Sequence, residues 1–141
     1  RLVLGGVVFG GRGLAGHSDA DVVAHAVTDA LLGAAGLGDI GQRYPDTDPA
    51  HAGADSMGLL ADSVAAVWAD GWEVANVDCT VVLEAPRLAS RRTEMQEALA
   101  VVVGAAVTVK GKRAEGLGAI GREEGVACFA VALLTRPGAP S

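Results

Sequence analysis

The sequence predicts a small α/β domain with helices laid over one face of a mixed β-sheet. Three features carry that expectation. Segments with apolar residues at helical spacing alternate with β-branched runs along the chain. The length, 141 residues, suits one compact domain, and with half of the residues hydrophobic a real core can form. Aromatics make up only 4%, so the apolar mass is Ala, Val and Leu, which suits close packing of helices onto a sheet.

Residues 2–8 are apolar and β-branched and read as a strand; residues 10–16 form a loop. Ser18 reads as an N-cap, with Asp21 three residues on completing a modest capping box. The helix it opens runs to Ala35 and stops at Gly36. Its buried side is predicted from Val22, Val23, Ala26, Val27, Ala30 and Leu31. A long polar loop, residues 38–55, contains Pro45, Pro49 and Gly53; loops of this length in small domains are usually functional. A second helix is expected over residues 56–70, closed by Gly71. Residues 74–84 alternate as a strand, with Val77, Cys79 and Val81 against Asn76, Asp78 and Thr80, and Pro86 ends it. A third helix is expected over 91–103, a strand over 106–112 and a glycine-rich turn over 114–125. The continuous apolar run at 126–134 predicts a strand buried on both faces. Residues 1–136 make one domain and 137–141 a loose tail. If helices cover only one sheet face, the other must meet another subunit, and a homotrimer around the sheet faces is expected.

The net charge is −6 with no long basic run, which excludes nucleic acid as the main partner. An acidic protein that binds a phosphorylated small molecule needs metal ions or a local basic cluster. Cys79 and Cys128 sit in apolar runs without CxxC spacing and read as buried thiols of a cytoplasmic protein. Charges or glycines interrupt every apolar stretch, so no membrane span is expected, and no signal peptide is visible.

The segment GHSDADVVAHAVTDALLGAAGLGDIG, residues 16–41, concentrates the chemistry. Asp21, His25 and Asp29 are spaced to stack on one helix face, and His17, Ser18 and Asp19 crowd its N-terminus, where free N–H groups favour anions. A histidine among carboxylates is able to hold Zn²⁺ through one ring nitrogen. The same spacing also fits a solvated polar helix face.

This segment is followed by YPDTDP at 44–49, GADS at 53–56, NVDCTVVLEAPRL at 76–88 and EGLGAIGREEG at 115–125. Together, in this order over nearly the whole chain, they closely resemble the 2-C-methyl-D-erythritol 2,4-cyclodiphosphate synthase family. The resemblance implies a trimer with active sites between subunits, acting in non-mevalonate isoprenoid biosynthesis. Its substrate would be 4-diphosphocytidyl-2-C-methyl-D-erythritol 2-phosphate, cyclised with loss of CMP. By resemblance, His25 is a Zn²⁺ ligand, and His17 and Ser18 contact the substrate phosphate, with His17 stabilising the transition state. Asp39, Ile40, Gly41, Tyr44, Asp46 and Asp48 hold the methylerythritol part. Leu83, Glu84, Ala85, Pro86, Arg87, Leu88 and Ala89 of the adjacent subunit form the cytidine pocket. Glu115 helps hold a second divalent ion, Mg²⁺ or Mn²⁺. Ala119 and Arg122 face the trimer axis, where an isoprenoid diphosphate can bind.

Two departures from the family pattern stand out. The family carries an Asp-x-His pair on its first strand, supplying two further zinc ligands, and residues 1–6 read as the second arm of a hairpin whose first arm, with that pair, is expected upstream. Lys112, Arg113 and Ala114 replace three hydroxyl residues that precede the glutamate in the family. Lys112 and Arg113 are expected to grip phosphate by charge instead, with Arg113 the catalytic contact because its fork reaches two oxygens at once. The competing readings are a metal-dependent phosphohydrolase using Asp21, His25, Asp29 and Asp39, and a non-catalytic trimeric binder of isoprenoid diphosphates.

Overall fold

The computed structural model of the protein describes residues 2–10, 21–45 and 55–138. Glycines decide its first element. Gly5 and Gly6 both hold positive φ, 59° and 77°, the pattern of a tight hairpin turn that glycine adopts without steric cost. The expected single strand at residues 2–8 is therefore a hairpin, β1 (Leu2–Leu4) and β2 (Val7–Phe9), with Leu2 opposite Phe9. Residues 2–4, expected to pair with a strand upstream, pair with residues 7–9.

Helix α1 (Val22–Ala35) is capped by Asp21, whose side chain accepts from the N–H groups of Val23 and Ala24; it ends at Gly36, at φ 73°. The cap is thus Asp21 rather than Ser18, which lies outside the described residues. The buried stripe is Val23, Ala24, Val27, Thr28, Leu31 and Leu32, rotated from the predicted one because the helix is gripped on two sides. The hydroxyl of Thr28 is satisfied by donating to the Ala24 carbonyl at 2.8 Å. After the short α2 (Ile40–Arg43), α3 (Ser56–Ala69) starts at Asp55 as N-cap. Then follow β3 (Glu73–Val82), a 3-10 turn (Ala89–Arg91), α4 (Arg92–Val103), β4 (Ala106–Lys112), α5 (Gly118–Gly121) and β5 (Ala127–Thr135).

The second sheet has the order β4-β3-β5. β3 runs parallel to β4, with Val82 opposite Lys112, and antiparallel to β5, with Val82 opposite Ala127. The parallel pair demands a crossover, and α4 supplies it. Helix α1 packs on β5 and β3, α4 on β4, and α3 against α1 and α4. Val77, Cys79, Val81, Val107 and Val109 are buried beneath these helices with Leu31, Leu60 and Leu99. The free thiols of Cys79 and Cys128 share this side. Hydrogen bonding to Cys79, and burial, push the Cys128 thiol far up, which suits packing rather than nucleophilic chemistry.

The opposite sheet face is open. Phe129, Val131 and Leu133 are 67%, 72% and 58% exposed, while Cys128, Ala130, Ala132 and Leu134 alternate toward the helices. The last strand is therefore covered on one face only within a single chain, against the expectation of burial on both.

Candidate active site

Two clusters hold the chemistry-bearing residues. The first is built around Asp21, which is 1% exposed. One of its oxygens accepts from the N–H groups of Gly5 at 2.8 Å, Val23 at 3.1 Å and Ala24 at 3.0 Å; the other accepts from Gly6 at 2.7 Å. Its own N–H reaches Ser56 Oγ at 3.4 Å, and that hydroxyl meets His25 Nε2 at 2.9 Å. One carboxylate thus joins the hairpin turn to the start of α1. Ser56, at the start of α3, fixes one ring nitrogen of His25 and leaves Nδ1 as its available ligand atom.

Asp21 is an N-cap and a backbone acceptor, not a member of a carboxylate stack above His25. Asp29 accepts from Ile40 N–H at 2.8 Å, and Asp39 caps α2 by accepting from Gln42 N–H at 2.8 Å. The three aspartates of the phosphohydrolase reading therefore all bind backbone. Among the described residues no group of three or more His, Cys, Asp or Glu is placed to hold a metal ion. With His25 as its one candidate ligand here, this cluster does not by itself fit zinc. Ile40, half-buried, and Gly41, exposed, lie in α2. Tyr44 is turned inward: its hydroxyl donates to Asp62 and lies 3.1 Å from Ser63 Oγ, anchoring the end of α2 to α3.

The second cluster lies at the carboxyl ends of β3 and β4. A cavity of about 230 Å³ is lined by Leu83, Glu84, Pro86, Arg87, Leu88, Ala89, Arg92, Gly111, Lys112 and Arg113. Its apolar floor is fixed, since Leu83 and Leu88 are 4% and 3% exposed and Leu83 N–H donates to the Lys112 carbonyl at 3.0 Å. The peptide bond before Pro86 is cis. Four cations rim the cavity against one carboxylate. That carboxylate, Glu84, accepts from Arg113 Nη2 and from Gly116 N–H, each at 3.2 Å. These bonds, the Gly116 one foremost, hold its pKa below the ordinary glutamate value. Among the described residues no hydrogen bond or ion pair joins this cluster to the first.

The family model described as the YgbB family matches residues 1–135. This chain belongs to the YgbB family. The 2-C-methyl-D-erythritol 2,4-cyclodiphosphate synthase of Aromatoleum aromaticum is 57% identical over 141 residues, 97% of this chain and 86% of the relative. The bifunctional enzyme IspD/IspF of Anaeromyxobacter dehalogenans is 54% identical over 96% of this chain, which spans 36% of that longer relative. Among solved structures, the bifunctional IspDF from Campylobacter jejuni superposes with a TM-score of 0.88 at 42% identity, covering 95% of this chain and 37% of that one. A 2C-methyl-D-erythritol-2,4-cyclodiphosphate synthase in a CDP-bound form gives 0.85 at 35% identity, covering 95% and 89%.

Of the seven residues that resemblance to the synthases assigned to the cytidine pocket, all but Ala85 thus line one cavity of this YgbB-family chain, joined by Lys112 and Arg113. Arg92 and Gly111 belong there too, and sequence reasoning missed both. Gly111 carried a signal, a glycine inside a β-branched strand, which marks a close approach; an added Cβ there would stand 3.5 Å from Leu88 Cδ1. Glu115 is exposed beside the cavity in the turn after β4. Ala119 lies on the exposed α5, and Arg122 just beyond it pairs with Glu124. His17, Ser18, Asp46 and Asp48 lie outside the described residues.

Proposed function

We propose that this chain is a 2-C-methyl-D-erythritol 2,4-cyclodiphosphate synthase, a phosphorus–oxygen lyase of non-mevalonate isoprenoid biosynthesis. Its substrate is 4-diphosphocytidyl-2-C-methyl-D-erythritol 2-phosphate. The observation that carries this reading is the 230 Å³ cavity between residues 83–92 and 111–113, in a chain 57% identical to a synthase along 97% of its length. An apolar floor of Leu83 and Leu88 suits a pyrimidine face, and the cationic rim suits its phosphates.

In the reaction an oxygen of the 2-phosphate forms a bond to the β-phosphorus. The bond from that phosphorus to the oxygen bridging it to CMP breaks, and the electron pair departs on CMP. The nucleophile is already an anion, so no strong general base is required; the demands are alignment and charge neutralisation. Arg113 and Lys112 neutralise the diphosphate, Arg87 and Arg92 draw the nucleotide in, and the backbone of residues 83–89 reads the base edge. His17 and Ser18 contact the attacking phosphate, while the 39–48 segment holds the methylerythritol hydroxyls, Asp46 among them. Glu115 would help hold Mg²⁺ or Mn²⁺, which would supply further neutralisation of the phosphate charge. Zinc at His25 requires ligands beyond the described residues, and no step here depends on it.

The active assembly is a homotrimer in the cytoplasm, with the two clusters completing one site across a subunit boundary. The exposed Phe129, Val131 and Leu133 support this, because a row of large apolar side chains left open to water is unfavourable. An isoprenoid diphosphate on the axis would compete with Glu124 for Arg122. The test incubates the protein with the cytidyl substrate and Mg²⁺ or Mn²⁺ and follows CMP by chromatography. Metal-dependent CMP formation is expected; inorganic phosphate without CMP rejects the reading in favour of the hydrolase.

A further inference from the structure

Glu115 has a conformation that glutamate avoids. Its φ is 55°, followed by Gly116 at 74°, and Leu117 N–H donates to the Ala114 carbonyl at 3.1 Å. Residues 114–117 thus form a tight turn with positive φ at both central positions, a pattern that glycine, asparagine and aspartate fill readily and glutamate does not. A non-glycine residue persists there only when its surroundings hold it. Two features do so. Gly121 is packed so closely behind the turn that a Cβ on it would fall 2.2 Å from the Gly116 carbonyl carbon. In front stands Glu84, whose side chain is 8% exposed, with one oxygen on Gly116 N–H and the other on Arg113.

We infer that Glu84 is a positioning residue: it fixes the Arg113 guanidinium and the strained 114–117 turn together, so that Arg113 and Glu115 face the diphosphate in a set geometry. Glu84 stands two residues beyond β3, one after Leu83 and two before Pro86 in the cavity wall. The clamp therefore ties the nucleotide side of the cavity to its phosphate side. Both oxygens are occupied by the protein's own donors and the group is largely shielded, so it acts through Arg113 and the turn rather than by touching substrate. This inference rests on the synthase reading above.

The experiment compares the parent, E84A, E84Q, R113A and E84A/R113A in CMP release at varied substrate and Mg²⁺, with a thermal melt for each. E84A is expected to lower kcat/KM about tenfold or more, the scale of a lost charge-assisted hydrogen bond, and to raise the Mg²⁺ concentration giving half-maximal rate. Glutamine keeps an acceptor for Gly116 N–H but loses the charge facing Arg113. E84Q should therefore recover the parent's Mg²⁺ dependence while remaining slow. In the R113A background E84A should cost several-fold less than it does alone, because the two act in one chain of contacts. Full additivity, or E84A equal to the parent, overturns the positioning role and leaves the synthase reading intact. A parent that releases no CMP overturns both. If E84A does not fold, E84Q and E84Q/R113A decide on the same criterion.

Discussion

Asp21 shows how one side chain carries more than one element. Its four backbone donors come from a turn and a helix start, and none of them has water as an easy substitute because the carboxylate is buried. Asp21→Ala should destabilise the fold by about 3 kcal/mol, combining a lost N-cap with unsatisfied buried N–H groups; urea denaturation measures it. Arg113 stands at the opposite extreme, with its side chain 56% exposed. Arg113→Ala should leave the melting curve almost unchanged and lower kcat/KM for CMP release by about 1.5–3 kcal/mol in transition-state terms. Glu84 adds a pH signature. Its pKa is held down in the fold, so its contribution is fully present above the ordinary glutamate value, about 4.3, and is lost as pH falls through the lower folded value. The stability difference between the parent and E84Q should be flat at neutral pH and shrink only in acid; a difference that instead grew on acidification would contradict the assignment.

At the scale of elements, pattern was legible where one side of an element decides its fate, and illegible where long-range contacts do. Gly36 ends α1 as read, because a left-handed C-cap is a local property. The alternation of Val77, Cys79 and Val81 placed β3 correctly, because only one of its faces meets helices. The hairpin at residues 2–9 escaped notice, since Gly5 and Gly6 sit inside an apolar run that reads as one strand. Asp21 was placed on the wrong side of its helix boundary because its donors include Gly5 and Gly6, 16 and 15 residues away. The cavity was largely legible through the family motif at 83–89, whereas Arg92 was not, being the first residue of a helix with nothing local to mark it. The turn after β4 supplies an element-scale test. Gly121→Ala forces the Gly116 backbone to move and should reduce CMP release at least as much as E84A. The cost in overall stability should stay near 1–3 kcal/mol, roughly that of an overpacked contact. Unchanged turnover in this variant would show that the turn carrying Glu115 does not need its observed position.

For the whole molecule, the fold closes one face of its sheet and leaves the other open, apolar along β5 and polar along β3 and β4. Phe129, Val131 and Leu133 form a row on β5, on the same open face as the Asp78–Lys110 ion pair of β3 and β4. A cyclic assembly that turned this face inward would take the row out of water. Light scattering should return three times the monomer mass for the parent and a smaller species for Val131→Asp, which puts an unpaired charge onto that row. Monomeric parent protein at micromolar concentration would contradict the trimer. The central claim is the chemistry, and phosphorus NMR of the protein incubated with its cytidyl substrate and Mg²⁺ tests it most directly. The account predicts loss of the substrate's diphosphate and 2-phosphate signals with matched growth of CMP and a cyclic diphosphate, and no inorganic phosphate. Growth of inorganic phosphate with the cytidyl diphosphate left intact would contradict it.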